Sequence, residues 1–313
     1  MRIAVGIDEN GLGPRLGPLV ITAITAQVQQ EAFELVQSKP PASLANRLGD
    51  SKQLVSFGQS LLGEAWARGF AHRAGLPVCN PDELLRAFLI DSKAVLQQRC
   101  PPEHTEHCWG TKQELFRADH ALVRTIEGDF EQLNELGIDV QSIDVVWICP
   151  ERLNHASAQG LSRLHVDLHA MERLALTIRS RTDTDLWVTC GKVGGFNRYQ
   201  AHFGPLSRHL CTPLEEGRAR SEYAVAGLGR LSFVRDVDAH HLLVCMASLV
   251  GKWIRDLSME RILRYYSSYD PTLPYASGYH DPVTQRLIEA STLIRTNHHI
   301  PAQCFERSRV VCK

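Results

Sequence analysis

The stretch RIAVGIDENGLGPRLGPLV, residues 2–20, decides how this chain is read. Ile3, Val5 and Ile7 alternate along an apolar run, which reads as a strand over residues 2–8. The run ends in two adjacent acids, Asp8 and Glu9, and a turn holding Gly11, Gly13, Gly17, Pro14 and Pro18 follows. The β-branched segment PLVITAITAQV, residues 18–28, reads as a second strand, so the two form a hairpin-like pair. Open α/β sheets place their sites at the carboxyl ends of strands. Two neighbouring carboxylates repel unless a proton or a cation lies between them. The pair therefore raises the question of a hard divalent cation such as Mg2+, which takes oxygen ligands. An isolated acidic pair at a strand end is more often a solvated turn.

The bulk numbers bound the answer. The 313 residues fit one large domain or two ordinary ones, and 44% hydrophobic residues suffice for a core. A net charge of −1 excludes a uniformly basic nucleic-acid coat and leaves room for a local basic groove. The nine cysteines are scattered and odd in number, which points to reduced thiols in a cytosolic protein. No apolar run approaches a membrane span, and Asp8 and Glu9 interrupt any leader-like pattern. A soluble, cytoplasmic protein is expected.

Beyond the opening pair, residues 29–38, 81–98 and 162–181 read as helices, another helix runs to about residue 136, and 143–149 and 185–190 read as strands. The segment 238–266 carries the widest apolar stripe of any predicted helix, and Asp281 with Pro282 opens a last one over 281–292. Asp50 or Ser51 is a helix cap candidate. The predicted fold is α/β with a mixed central sheet flanked by helices. The polar segment 99–113 looks inserted.

Further residues carry a resemblance. GIDENGLGPRLGPLVI resembles the N-terminal signature of the type 2 ribonucleases H, the ribonuclease HII family, with Asp8, Glu9, Gly11, Gly13, Pro14, Gly17 and Pro18 in register. LGDSKQL, residues 48–54, is similar to that family's Asp-Ser-Lys motif at Asp50, Ser51 and Lys52. LHAMERLAL (168–176), VGGFNRY (193–199), DVDAHHLLVCMASLVGKWIRD (236–256) and SGYHDPVT (277–284) resemble its later motifs in the same order. The resemblance implies a ribonuclease H-like fold over residues 1–266 and a C-terminal helical part, 267–313, carrying Tyr279. It implies that Asp8, Glu9 and Asp238 bind Mg2+ or Mn2+ and cleave RNA in RNA–DNA hybrids or at single ribonucleotides in DNA. It places Gly11, Leu12, Gly13, Lys52 and Tyr279 against the substrate, and Lys192, Arg198, Lys252 and Arg255 are candidates for a basic groove.

The chain departs from the family at two positions. Gly191 stands where the third catalytic aspartate is expected, so three carboxylates would face the four positive charges of two metal ions. Alternation sends the neighbouring Cys190 to the opposite face. His240, His241 or a carboxylate from the inserted segment are candidates to fill the gap. Leu12 replaces the arginine of the family's Gly-Arg-Gly. The competing expectation is a family member with a weakened or inactive site that binds nucleic acid or a protein. Cys100, His104, His107 and Cys108 offer zinc-type ligands within the inserted segment, in a spacing unlike common zinc sites, so a polar surface loop is the favoured reading there. A third function class is a zinc-stapled interaction module on an inert fold.

Overall fold

The computed structural model describes residues 1–101, 106–112 and 114–308. Seven strands form one sheet in the order β3-β2-β1-β4-β7-β6-β5. They are β1 (Arg2–Asn10), β2 (Leu19–Val28), β3 (Ile138–Ile148), β4 (Leu186–Gly191), β5 (Cys211–Glu216), β6 (Arg220–Val225) and β7 (Gly229–Val234). The first two pair antiparallel from Arg2↔Val28 to Asn10↔Val20, as the hairpin pattern predicts. On its other side β1 runs parallel to β4, which runs parallel to β7. This is the expected α/β architecture, a mixed central sheet flanked by helices with a C-terminal helical extension.

Alternation along β1 feeds two cores. Ala4 packs on one face with α1 (Leu61–Arg73), α2 (His120–Glu135) and α4 (Leu242–Ser267). Val5 and Ile7 pack on the other with α3 (Arg163–Arg179), through Leu168, Met171 and Leu174. The 26-residue α4 lies across β1 and β2. Beyond the sheet, its second half supports α5 (Pro282–Ala290), α6 (Thr292–Asn297) and α7 (Ala302–Phe305) around Met259, Ile262, Tyr266 and Phe305. Asp281 caps α5 as predicted, accepting the amide of Thr284.

Several local expectations change. Only Phe33–Val36 of the predicted 29–38 helix is helical. The 81–98 helix is two pieces, Pro81–Phe88 and Lys93–Gln97, parted where Leu89 bridges to Val145 of β3. The long helix starts at Leu242 rather than at 238, with His241 as its cap, and Asp238 lies in the preceding 3-10 turn Val237–Ala239. The strands β5 to β7 went unpredicted. Among the described residues of the inserted segment, the helix Glu106–Trp109 is not the expected polar surface loop: it packs against α4, His107 is buried, and Trp109 meets Trp147 at 5.0 Å between ring centroids. Among the described residues all eight cysteines are unbridged, and no helix is long and apolar enough to cross a membrane.

Candidate metal and nucleic-acid site

The carboxyl end of β1 puts Asp8 and Glu9 at the mouth of an open cleft of about 350 Å³. The cleft is also lined by Gly11, Leu12, Lys52, Gly191, Lys192, Asp238, Lys252 and Tyr279. Thus residues drawn from five distant segments of sequence meet at one place. Gly13 is exposed at its edge, with open space where a side chain would stand.

Gly191 lies where the resemblance requires the missing acid. A Cβ built there would sit 3.2 Å from Oε2 of Glu9 and 3.3 Å from Oδ1 of Asp8. The position faces both carboxylates and contributes no charge. Its neighbour Cys190 is buried in the core on the α3 side, as alternation predicts. Neither histidine replaces the acid: His240 is exposed, and the buried His241 uses Nδ1 to accept the amide of Val244 at 3.4 Å.

The electrostatics are those of crowded acids. Burial holds the Asp8 carboxyl well above the usual range, and Glu9 and Asp238 push it further, against a hydrogen bond from Ser248. Burial also raises Glu9, and the next cause is Asp167. Lys52 is the one ammonium seated directly on these acids among the described residues, donating to Oδ2 of Asp238 at 2.9 Å while its side chain stays 80% exposed. Lys192 instead donates to Asn197 and to the carbonyls of Gly217 and Arg218. Lys252 pairs with Asp256, and Arg198 reaches toward Glu216 at the surface.

Asp167 is the residue that the sequence reading missed. It sits on α3, is fully buried, and neither carboxylate oxygen has a hydrogen-bond partner among the described residues. A buried carboxylate without a partner is among the most expensive groups a fold can hold. The available signal was an acid inside the apolar stripe of a helix, three residues after Leu164 and four before Met171.

At the other end of the cleft, the glycine turn is held by a distant arginine. Arg307 is buried, donates to the carbonyls of Gly11 at 2.6 Å and Gly17 at 2.7 Å, and hands its own amide to Arg15. A guanidinium from a distant segment thus reaches the turn where Leu12 supplies none. Leu12 itself packs toward the α3-side core. Arg255 is buried under the ring of Tyr279, 4.8 Å from its centroid, leaving the tyrosine 45% exposed toward the cleft. The amides of Arg15 and Leu16 donate to the carbonyl of Gly278, locking the glycine turn to the segment that bears Tyr279. Arg15 is engaged with Glu306 and Gln285.

His107 and Cys108 line a separate small recess with Cys100, joined there by Cys149 and Cys304, while His104 lies outside the described residues. Among the described residues no three His, Cys, Asp or Glu side chains are gathered as a ready set of metal ligands, either there or in the main cleft.

No family model matches the chain, and no curated protein does. Among solved structures it is similar to ribonuclease HII of Archaeoglobus fulgidus, determined in a complex with PCNA, at 16% identity and a TM-score of 0.47, over 99% of this chain and 96% of that one. It is similar to ribonuclease H2 of Pyrococcus horikoshii OT3 at 15% identity and a TM-score of 0.46, over 97% and 92%. For ribonuclease H3 of Aquifex aeolicus the figures are 14% and 0.45, over 97% and 71%. At such identity and overlap, what this chain does has to be read from its own residues.

Proposed function

We propose that this protein is a metal-dependent endonuclease of the ribonuclease HII type, acting on RNA in RNA–DNA hybrids or at single ribonucleotides in DNA. The observation that carries the reading is that Asp8, Glu9 and Asp238 share one cleft with Gly11 and Tyr279. Acids that could hold metal and groups that could read a ribose therefore face the same strand of substrate.

The residues fit a hard divalent cation. They offer only oxygen donors, crowded beyond what Lys52 neutralises. Asp8, Glu9 and Asp238 would hold Mg2+ or Mn2+. When bound, such ions activate water and offset charge at the scissile phosphate. The chain's own residues do the positioning. The exposed face of Tyr279 offers a platform for a sugar, and the backbone around Gly11 and Gly13 offers close approach to the 2′-hydroxyl that marks RNA. Lys52, Lys192 and Lys252 line the path of the phosphates. In this reading residues 1–266 form the nuclease body, and 267–313 deliver Tyr279.

Gly191 favours one alternative, a site that binds hybrid and cuts poorly. A DNA duplex carrying one ribonucleotide, incubated with Mn2+ or Mg2+, separates the two. Cleavage by the wild type that Asp8→Asn reduces by about a hundredfold or more supports the enzyme. A silent wild type with cleavage gained in Gly191→Asp supports the weakened site. Silence from all variants, with no hybrid binding, removes both readings.

A further inference from the structure

We propose that Asp167 supplies the carboxylate that β4 lacks, completing the charge of the metal site from α3 in company with Glu9. The inference rests on the metal-site reading above and deepens it.

Three observations converge. First, Asp167 is enclosed and both its oxygens lack partners among the described residues, so no hydrogen bond explains its presence there. Second, it stands on the side of the sheet that Glu9 addresses. Val5 and Ile7, the residues preceding Glu9 on the same face of β1, pack in the core that holds Leu168 and Met171 of α3. Glu9 feels the charges of Asp167 and Asp238, Asp167 feels that of Asp8, and Lys52 is the cation that reaches Glu9. Third, the strand position between the acids, Gly191, is bare. An acid missing from the wall of the site and an unpaired acid present behind it are complementary departures.

Chemistry explains why α3 is a workable source. Three carboxylates leave two divalent ions with residual positive charge before phosphate arrives, and a fourth balances it. Asp167 lies behind the cleft wall and does not line it. It therefore acts beside Glu9, fixing how tightly the site holds metal. Partners of this kind change metal affinity by about 10–100-fold when removed.

The test is Mn2+ binding, read by the paramagnetic resonance signal of free Mn2+ and by calorimetry, with circular dichroism confirming the fold. Asp167→Asn should weaken Mn2+ binding about tenfold or more. The double variant Gly191→Asp/Asp167→Asn should regain most of that loss, because the charge returns to the strand. A structural role for Asp167 would not be rescued from β4. If folded Asp167→Asn binds Mn2+ like the wild type while Asp8→Asn binds it poorly, the inference is overturned and the metal site stands. If Asp8→Asn also binds like the wild type, the metal-site reading fails and takes the inference with it. Should Asp167→Asn not fold, Asp167→Ser carries the same expectations.

Discussion

Gly11 has a φ of +90°, and a Cβ there would stand 2.5 Å from Nε of Arg255. Gly11→Ala should therefore destabilise the protein by about 1–3 kcal/mol, visible in urea melts, and disturb the Arg255–Tyr279 stack. A variant as stable as the wild type would show that the turn relaxes freely. His241 gives a second prediction at this scale. Its buried imidazole is pushed down to about 4 from 6.5, by burial. The folded value lies below the unfolded one, so its contribution is complete above pH 6.5 and is lost as pH falls toward 4. His241→Asn keeps a capping acceptor without titrating. Between about pH 7 and pH 4.5 it should lose ~2–3 kcal/mol less stability than the wild type. Parallel acid profiles would exclude the histidine as a cause. That Asp8, Glu9, Asp238, Lys52 and Tyr279 line one cleft was legible because each sits in a recognisable short motif. Asp167 and Arg307 were not, since their roles depend on where a helix and a distant segment land.

Among the elements, α3 does more than pack. Glu172 reaches from it to accept the amides of Gly204 and Leu206, at 3.1 and 2.8 Å, and so fixes the turn that leads into β5. Burial lifts its carboxyl to about 7 from 4.5. For an acid whose folded value is raised, stability falls as pH climbs from the unfolded value through the folded one, here from 4.5 to about 7. Glu172→Gln keeps an acceptor and removes the charge. It should gain about 1–3 kcal/mol on the wild type at pH 8 and nothing at pH 4, measured by thermal melts. A loss at pH 8 would mean that the charged hydrogen bonds outweigh burial. The central hairpin and α4 were readable from periodicity because both faces or one wide stripe are apolar. The strand β5 was hidden by its edge position. In β5 only Cys211 is buried, and Pro213 interrupts the pattern, which an edge strand tolerates. The 81–98 helix was overextended because its apolar period continues through Leu89, which the sheet edge at Val145 claims instead.

For the whole molecule, the sheet brings the acids together and the segment before α5 brings Tyr279 to them, so the cleft depends on parts far apart in sequence. Arg307 ties this arrangement shut: its guanidinium bonds the turn around Gly11 across 296 positions of chain, while Leu16 bridges to Glu306 beside it. That clasp has a consequence for the order of synthesis. The turn after the strand bearing Asp8 and Glu9 is made 296 positions before the residue that secures it. A nascent chain can therefore complete its sheet while this turn is still untied, so the cleft sets after the sheet. A chain stopped after Glu306 should exchange the amides of residues 11–17 faster than the full chain, with those of β1 unchanged. Equal protection in both chains would mean that the turn sets without its clasp.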